Sequence, residues 1–206
     1  MNKIIENINS LKIGVDLDET LCYTIRHLLE YHKLTIGNIL LEEKHISDYY
    51  IYKIPGISLK TQEEAVKIFR EIYYNDFEKF EINPIEGAKE KLEELKNKGL
   101  NLNIVTARDG HLFGEYTDLW LKKYFPEIFS KIHHANNSGK FGKVIPKSEL
   151  CKENGIEIMI EDNMDYALEL AYNGIKTFLL EKAWNYKRPE NHRNIIKVEG
   201  WENIII

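Results

Sequence analysis

Short apolar segments of strand length alternate with segments of helical periodicity along most of the chain, and this alternation restricts the possible folds more than any other feature. The strand-like segments lie at 12–17, 100–106, 156–162 and 176–181, with a shorter one at 130–136. Three of the helical segments end at a glycine, namely Gly99, Gly155 and Gly174, as helices commonly do. Strands that alternate with helices pair in parallel and are covered by helices. The sequence therefore predicts an α/β fold with three layers and a parallel sheet.

One long segment interrupts this alternation between the first strand and the second. Residues 21–83 are mostly helical in pattern and rich in tyrosine. Within them, Thr61 and Glu64 have the spacing of a capping box at the start of a helix. We therefore predict a small, mostly helical cap at 21–83, inserted after the first strand of a core formed by 1–20 and 84–206.

Composition narrows the class of protein. The chain has 206 residues, of which 43% are hydrophobic, and a formal net charge of −5. This acidic balance disfavours binding to a nucleic acid polymer, which depends on neutralising phosphates. Two cysteines are too few for a disulfide framework, and no apolar run reaches the roughly 18 residues of a membrane span. With no signal-peptide pattern at the start, we expect a cytoplasmic protein without membrane partners. A homodimer is allowed by the sequence, which does not determine the oligomeric state.

Polar side chains stand where the predicted strands end. The first strand runs into Asp16 and Asp18, the second ends at Thr106, and a later strand ends at Glu161 and Asp162. In open parallel sheets, ligands bind at the carboxyl ends of the strands, so these side chains are expected to converge. Carboxylate oxygens suit Mg²⁺ better than zinc. The sequence therefore predicts a site for a hard divalent cation, and a hydroxyl and a lysine beside it would suit a phosphate.

The order of these segments resembles a known family. "DLDET", "VTAR", a downstream lysine and "MIEDN" are similar to the four motifs of the haloacid dehalogenase-like hydrolase superfamily, and the resemblance covers residues 12–180. It implies a Rossmann-like sheet with an inserted cap, with Asp16 as the nucleophile and Asp18 as the general acid and base. In this superfamily an aspartate two residues after the nucleophile goes with phosphatases and phosphomutases. Asp18 therefore implies hydrolysis of a phosphomonoester through an aspartyl-phosphate intermediate.

The resemblance also implies which residues bind the phosphate and the metal. The positions that match the phosphate-binding site are Thr106, Ala107 and Lys147. The positions that match the Mg²⁺ ligands are Asp16, Asp18 and Asp162, with Asp18 able to use its backbone carbonyl. We favour Lys147 over Lys140 and Lys143 because it starts the helix that leads to the strand before the last motif. Glu161 is expected to accept a hydrogen bond beside the metal.

A narrower resemblance points to the substrate. "PIEGAKEKLEEL", "KSELCKENGI" and "LLEKAWNYKR" are similar to the 5'(3')-deoxyribonucleotidase-like branch, in which a Trp-Asn pair follows the last core strand. That pair matches Trp184 and Asn185, although Ala183 replaces the usual proline and Glu161 replaces the first of two aspartates. The branch implies a 5'-nucleotidase acting on (deoxy)nucleoside monophosphates. The alternatives are a sugar phosphate or another small phosphomonoester, and a phosphate-binding module without turnover.

Several residues near these motifs keep two interpretations. Arg108 could contact the phosphate, or it could pair with Asp109 or a surface acid. Asp165 could lie near the metal or cap the following helix. The aromatic residues of the cap could stack on a nucleobase, although packing between cap helices is the favoured interpretation for each one; they are Tyr49, Tyr50, Tyr73, Tyr74 and Phe77.

Overall fold

A six-stranded parallel sheet lies at the centre of the fold. In the computed structural model, which describes residues 11–75, 82–137, 139, 142–188 and 192–206, the strands of this sheet are β1 (Lys12–Val15), β4 (Asn101–Thr106), β5 (Lys131–His134), β6 (Ile158–Glu161), β7 (Lys176–Leu180) and β8 (Ile195–Val198). They lie in the order β5-β4-β1-β6-β7-β8, and every neighbouring pair is parallel. A separate antiparallel hairpin pairs β2 (Thr35–Ile36) with β3 (Ile39–Leu40).

Six α-helices accompany these strands in the described residues. They are α1 (Thr24–His32), α2 (Gln62–Asn75), α3 (Ala88–Asn97), α4 (Gly110–Tyr124), α5 (Lys147–Asn154) and α6 (Met164–Tyr172). Short 3₁₀ turns lie at Glu43–His45, Ile51–Lys53 and Trp201–Asn203. None of the described helices combines the length and the apolar character that crossing a membrane requires.

Adjacent residues of the central strands pack into different hydrophobic clusters, which shows that both faces of the sheet are covered. Ile104 and Ile160 belong to the main core cluster, which contains residues of α3 and α4. Val105 and Met159, their neighbours in the chain, pack instead with residues of α5 and α6. Because successive side chains of a strand point to opposite faces, helices lie on both sides of the sheet. The predicted three-layer, Rossmann-like α/β core with a parallel sheet is confirmed.

The sequence did not predict β8, and it placed the start of α3 too early. Within the part of the chain that the structure describes, no helix separates β7 from β8, so the alternation gives no signal for this edge strand. The segment "NPIEGAKEKLEEL" predicts a helix that opens at Asn83 or near Pro84, but residues 83–85 pair with the start of the cap. The Tyr23 amide donates to the Asn83 carbonyl at 3.0 Å, and the Ile85 amide donates to the Leu21 carbonyl at 2.8 Å. This pairing keeps the backbone extended, and the helix begins at Ala88.

A second hydrophobic cluster lies within the segment predicted to be the cap. This cap cluster consists of the buried side chains Ile25, Leu28, Leu34, Leu41, Ile46, Ile51, Ile54, Ile57, Leu59, Ala65 and Trp184. All except Trp184 come from residues 25–65. Leu21, Cys22 and Ile82 pack with the main core cluster instead. The cap therefore has a small core of its own, in which one residue from beyond β7 takes part, while its assignment as a separate domain with bounds 21–83 stays a prediction.

The glycine in the central strand is required by close packing. A Cβ at Gly14 would overlap the sulfur of buried Met159 and would lie 3.0 Å from Val105 Cγ2. We expect Gly14→Ala to lower the free energy of unfolding by about 1–3 kcal/mol, the usual cost of overpacking a core, in a denaturant titration. Gly114→Ala is the control, because nothing lies within 4 Å of its Cβ and alanine favours a helix interior by about 1 kcal/mol. A Gly14→Ala variant as stable as the wild type would contradict this packing argument.

Candidate active site

The carboxyl ends of three neighbouring strands bring the predicted polar residues together. Asp16 follows β1, and its amide donates to the Ile160 carbonyl at 2.9 Å, which continues the parallel pairing. Thr106 ends β4, whereas Glu161 ends β6 and is followed by Asp162. These positions lie at one edge of the sheet because β1 lies between β4 and β6.

Three buried carboxylates form an acidic cluster at this edge. Asp16, Glu161 and Asp162 each offer an oxygen atom, and these atoms all lie within 4.8 Å of one another. Lys147 Nζ donates to Asp16 Oδ1 at 2.6 Å and to Glu161 Oε2 at 2.7 Å. All four side chains are buried. Of the other two candidate lysines, Lys143 is exposed and position 140 lies outside the described residues.

Burial dominates the electrostatics of the cluster. It raises the pKa of Asp16 to about 7, and the charge of Glu161 adds to the effect. Burial also raises the pKa of Asp162 well above its usual value, again with the Glu161 charge as the next cause. For Lys147, burial opposes the charged form, but the carboxylates of Asp16 and Glu161 outweigh it and raise the lysine pKa. One ammonium therefore balances only part of the negative charge that three ionised carboxylates would carry.

This donor set fits a hard divalent cation. Buried carboxylates without a compensating cation are costly, and a cluster made only of carboxylate oxygens is the kind that Mg²⁺ or Ca²⁺ prefers. The sequence predicted Asp16, Asp18 and Asp162 as metal ligands. The structure places Glu161 in the cluster with Asp16 and Asp162, whereas the carboxylate of Asp18 faces a different partner.

Asp18 is bound by Arg108. Arg108 Nε donates to Asp18 Oδ2 at 2.8 Å, and Nη2 donates to Oδ1 at 2.6 Å. Thr24, the first residue of α1, donates its hydroxyl to Asp18 Oδ1 at 2.6 Å. Burial would raise the pKa of Asp18, but the charge and hydrogen bonds of Arg108 outweigh it and lower that pKa. The sequence interpretations of Arg108 did not include this pair, because no local pattern indicates a contact between residues 90 positions apart.

Thr106 and Ala107 lie beside these charged groups. The side chain of Thr106 is buried, and its hydroxyl accepts a hydrogen bond from the Arg108 amide at 3.2 Å. The Ala107 carbonyl accepts from the Asn137 amide at 3.1 Å. The loop after β4 therefore presents a hydroxyl and backbone groups at the same edge as Asp16.

The residue that caps α6 is Asn163, not Asp165. The Asn163 side chain accepts from the amides of Asp165 and Tyr166, at 2.8 Å and 3.3 Å. Asp165 pairs instead with Arg188, with 2.7 Å between Oδ1 and Nη2. The capping interpretation of Asp165 was therefore wrong. Asp109, one of the partners considered for Arg108, caps α4 by accepting from the amides of residues 111 and 112.

A cleft opens between the cap and the core next to Asp18. It has a volume of about 1190 Å³, and its walls include Tyr49, Tyr50 and Tyr52 from the cap and Ala107 and Arg108 from the core. A smaller pocket of about 140 Å³ shares the three tyrosines and reaches Asp18 itself. The tyrosine rings also pack on one another, with centroids 5.2 Å apart for Tyr49 and Tyr50. The side chains of Tyr73 and Tyr74, and all of Phe77, lie outside the described residues.

Tyr49 brings the cap close to the acidic cluster. Burial raises the pKa of its phenol well above the usual value, and the charges of Asp162 and Asp16 act in the same direction. Tyr50 and Tyr166 line the same cleft, and the centroid of the Tyr166 ring lies 4.4 Å from Lys147 Nζ. Cap tyrosines therefore border the site that the strand ends form.

Known proteins resemble this chain in sequence or in fold. A nucleotidase from Clostridium acetobutylicum is 27% identical in an alignment that covers 96% of this chain and 93% of its own length. The crystal structure of a predicted phosphatase from Clostridium acetobutylicum has a TM-score of 0.62 at 19% identity, covering 91% of this chain and 93% of that one. A haloacid dehalogenase-like family hydrolase from Streptococcus pneumoniae has a TM-score of 0.58 at 18% identity, covering 92% and 94%.

The match to a family model is the decisive comparison. The model described as haloacid dehalogenase-like hydrolase matches residues 13–171, which is most of the chain. This range begins in β1 and includes Asp16, Thr106, Lys147 and Asp162. With the parallel sheet and the structural likenesses, it shows that the chain belongs to the haloacid dehalogenase-like hydrolase family.

Proposed function

We propose that this protein is a Mg²⁺-dependent phosphomonoester hydrolase that acts on (deoxy)nucleoside monophosphates through an aspartyl-phosphate formed on Asp16. The observation that carries the proposal is the meeting of Asp16 and Lys147 in one buried cluster, with Asp18 lining the smaller pocket. A carboxylate nucleophile splits a difficult hydrolysis into two easier steps. Phosphoryl transfer requires mainly positioning and positive charge, which the lysine and its surroundings provide.

In the first step, a carboxylate oxygen of Asp16 attacks phosphorus, and the bond between phosphorus and the ester oxygen breaks. Asp18 donates its proton to that oxygen, so the alcohol leaves neutral. In the second step, Asp18 takes a proton from water as the water attacks the acyl-phosphate, which releases phosphate and restores the Asp16 carboxylate. The pair with Arg108 favours the ionised form of Asp18, which is the form that the second step needs. The first step requires this pair to open so that Asp18 can carry a proton.

The remaining residues bind and balance charge. Thr106 and Ala107, at the end of β4, offer a hydroxyl and an amide to the phosphate oxygens. Lys147 balances the charge of Asp16 and places an ammonium where the negative phosphoryl group arrives. Asp16, Glu161 and Asp162 would hold the Mg²⁺ ion, with the backbone carbonyl of Asp18 as the further predicted ligand. The ion would supply positive charge to the phosphoryl oxygens when bound.

A nucleoside is the leaving group that the cleft supports best. Pockets for small molecules usually measure about 300–1,000 Å³, and the cleft of about 1190 Å³ offers this room. Its tyrosines present aromatic surfaces, on which a nucleobase stacks with about 1–3 kcal/mol. The nucleotidase relative from Clostridium acetobutylicum supports the same substrate class. A sugar phosphate, which has no aromatic ring, would leave these surfaces unused.

The proposal is tested by measuring phosphate release from a panel of substrates. The panel contains ribo- and deoxyribonucleoside 5'- and 3'-monophosphates, hexose phosphates and p-nitrophenyl phosphate, each with Mg²⁺ and with EDTA. We expect the highest kcat/KM for nucleoside monophosphates, loss of activity in EDTA and its return when Mg²⁺ is restored.

Three results would contradict parts of the proposal. Faster turnover of hexose phosphates would assign a sugar phosphate as the substrate. Full activity in EDTA would remove the metal from the mechanism. Tight phosphate binding without release from any ester would leave only a binding module.

A further inference from the structure

Trp184 joins two parts of the molecule. It follows β7 in the core, yet its ring is buried in the cap cluster, where every other member comes from residues 25–65. The ring of Tyr49 meets it edge-on, with centroids 6.3 Å apart. The apolar surface of the indole is therefore held by the cap, although its backbone belongs to the core.

The polar end of the same ring points to the acidic cluster. Trp184 Nε1 donates to Asp162 Oδ2 at 3.0 Å. An indole nitrogen only donates hydrogen bonds. Thr20 donates its hydroxyl to the other oxygen, Oδ1, at 3.3 Å. Both oxygens of Asp162 therefore have a donor that fixes the plane of the carboxylate, and each keeps a lone pair for a cation.

The backbone around the indole is fixed as well. Asn185 Nδ2 donates to the Asp162 carbonyl at 2.6 Å and to the Leu180 carbonyl at 2.8 Å. Its Oδ1 accepts from the Lys182 amide at 3.1 Å. The turn that carries Trp184 is thus tied to the same residue that the indole contacts, so the indole and the carboxylate cannot move independently.

We propose that Trp184 is a positioning residue that orients the Asp162 carboxylate for a divalent cation and connects this carboxylate to the cap cluster. The inference rests on the metal site of the proposed function but not on its substrate. Hydrogen-bond partners behind metal ligands typically contribute a factor of about 10–100 to metal affinity. Because the indole is packed in the cap cluster, any shift of the cap against the core changes the orientation of Asp162.

The test compares two tryptophan-to-phenylalanine variants by calorimetric titration with Mg²⁺. Trp184→Phe removes the donor to Asp162. Trp120→Phe is the matched control, because Trp120 is equally buried and donates one hydrogen bond, to the Ile82 carbonyl at 2.8 Å, within the main core cluster. We expect about tenfold weaker Mg²⁺ binding in Trp184→Phe and a change of less than about twofold in Trp120→Phe, while both lose comparable stability through a lost buried hydrogen bond.

A second measurement uses the unaltered protein and does not depend on how the variants fold. The chain contains three tryptophans, so it has three indole N–H signals in an NMR spectrum. On addition of Mg²⁺, we expect the signal of Trp184 to shift and that of Trp120 to stay in place.

Each possible outcome either supports or contradicts the role proposed for Trp184. Wild-type Mg²⁺ affinity in Trp184→Phe, an equal loss in both variants, or an unshifted Trp184 signal would overturn it while leaving the proposed phosphatase intact. Absence of Mg²⁺ binding in the wild type would overturn it together with the metal assignment. A substrate other than a nucleotide would change the proposed function and leave the role of Trp184 standing.

Discussion

Replacing Asp16 with asparagine is expected to lower kcat for phosphomonoester hydrolysis by a factor on the order of 10⁴ or more, as the loss of a nucleophile does in other hydrolases. The amide has the shape of the carboxylate but cannot form the acyl-phosphate. Its oxygen can still accept the hydrogen bond that Lys147 makes to Oδ1 in the wild type. The substitution also removes one of three neighbouring buried negative charges, so we expect no loss of folding stability. Steady-state kinetics and thermal unfolding of the same preparation separate the two effects.

Asp118→Asn is the control for this experiment. Asp118 is an exposed acid on α4, and exposed substitutions away from special features change stability by less than about 0.5 kcal/mol. We expect its kcat to equal that of the wild type. An Asp16→Asn enzyme that keeps full activity would eliminate the covalent mechanism, and one that is inactive but unfolded would show a structural role only.

The approach of Asp16, Asp162 and Lys147 to one another follows from features that a sequence displays. Each lies at the end of an apolar strand or at the start of the helix that leads to one, and parallel strands align their carboxyl ends. The position of Glu161 is different. It ends β6, and its Oε1 accepts from the amides of Asp162 and Asn163, so the chain turns here. The turn lets two consecutive acids reach the same cluster, which the alternation of a regular strand would prevent.

The contacts that could not be predicted are between side chains far apart in the sequence. Arg108 binds Asp18 across 90 positions, and Trp184 packs with cap residues that precede it by more than a hundred. Neither contact has a local signature. The first depends on how the chain segments after β1 and β4 meet, the second depends on how the cap is placed over the core, and both depend on which rotamer the side chain adopts. The Trp-Asn pair is visible in the sequence, but its hydrogen bonds to Asp162 are visible only in the structure.

Replacing Lys147 with methionine is expected to cause the largest loss of stability among substitutions at this site. Its ammonium is buried between Asp16 and Glu161, and breaking a buried ion pair by removing one partner usually costs about 3–5 kcal/mol. Methionine fills a similar volume, so the loss reports charge rather than packing. The measurement is urea unfolding in EDTA.

Two matched variants isolate the electrostatic cause. Lys152→Met makes the same change on the exposed side of α5, where Nζ donates to Asn173 Oδ1 at 2.6 Å, and we expect less than about 0.5 kcal/mol there. Adding Glu161→Gln to Lys147→Met removes one of the two carboxylates that have lost the ammonium of Lys147, so it should recover part of the lost stability. Mg²⁺ should stabilise Lys147→Met as well, because a ligand that binds only the folded state adds RT ln(1 + [L]/Kd) to the free energy of unfolding. The cation and the ammonium both compensate the same excess of buried negative charge. A Lys147→Met protein that is as stable as the wild type in EDTA would therefore show that the carboxylates are already neutral. That result would also contradict the argument for a divalent cation at this cluster.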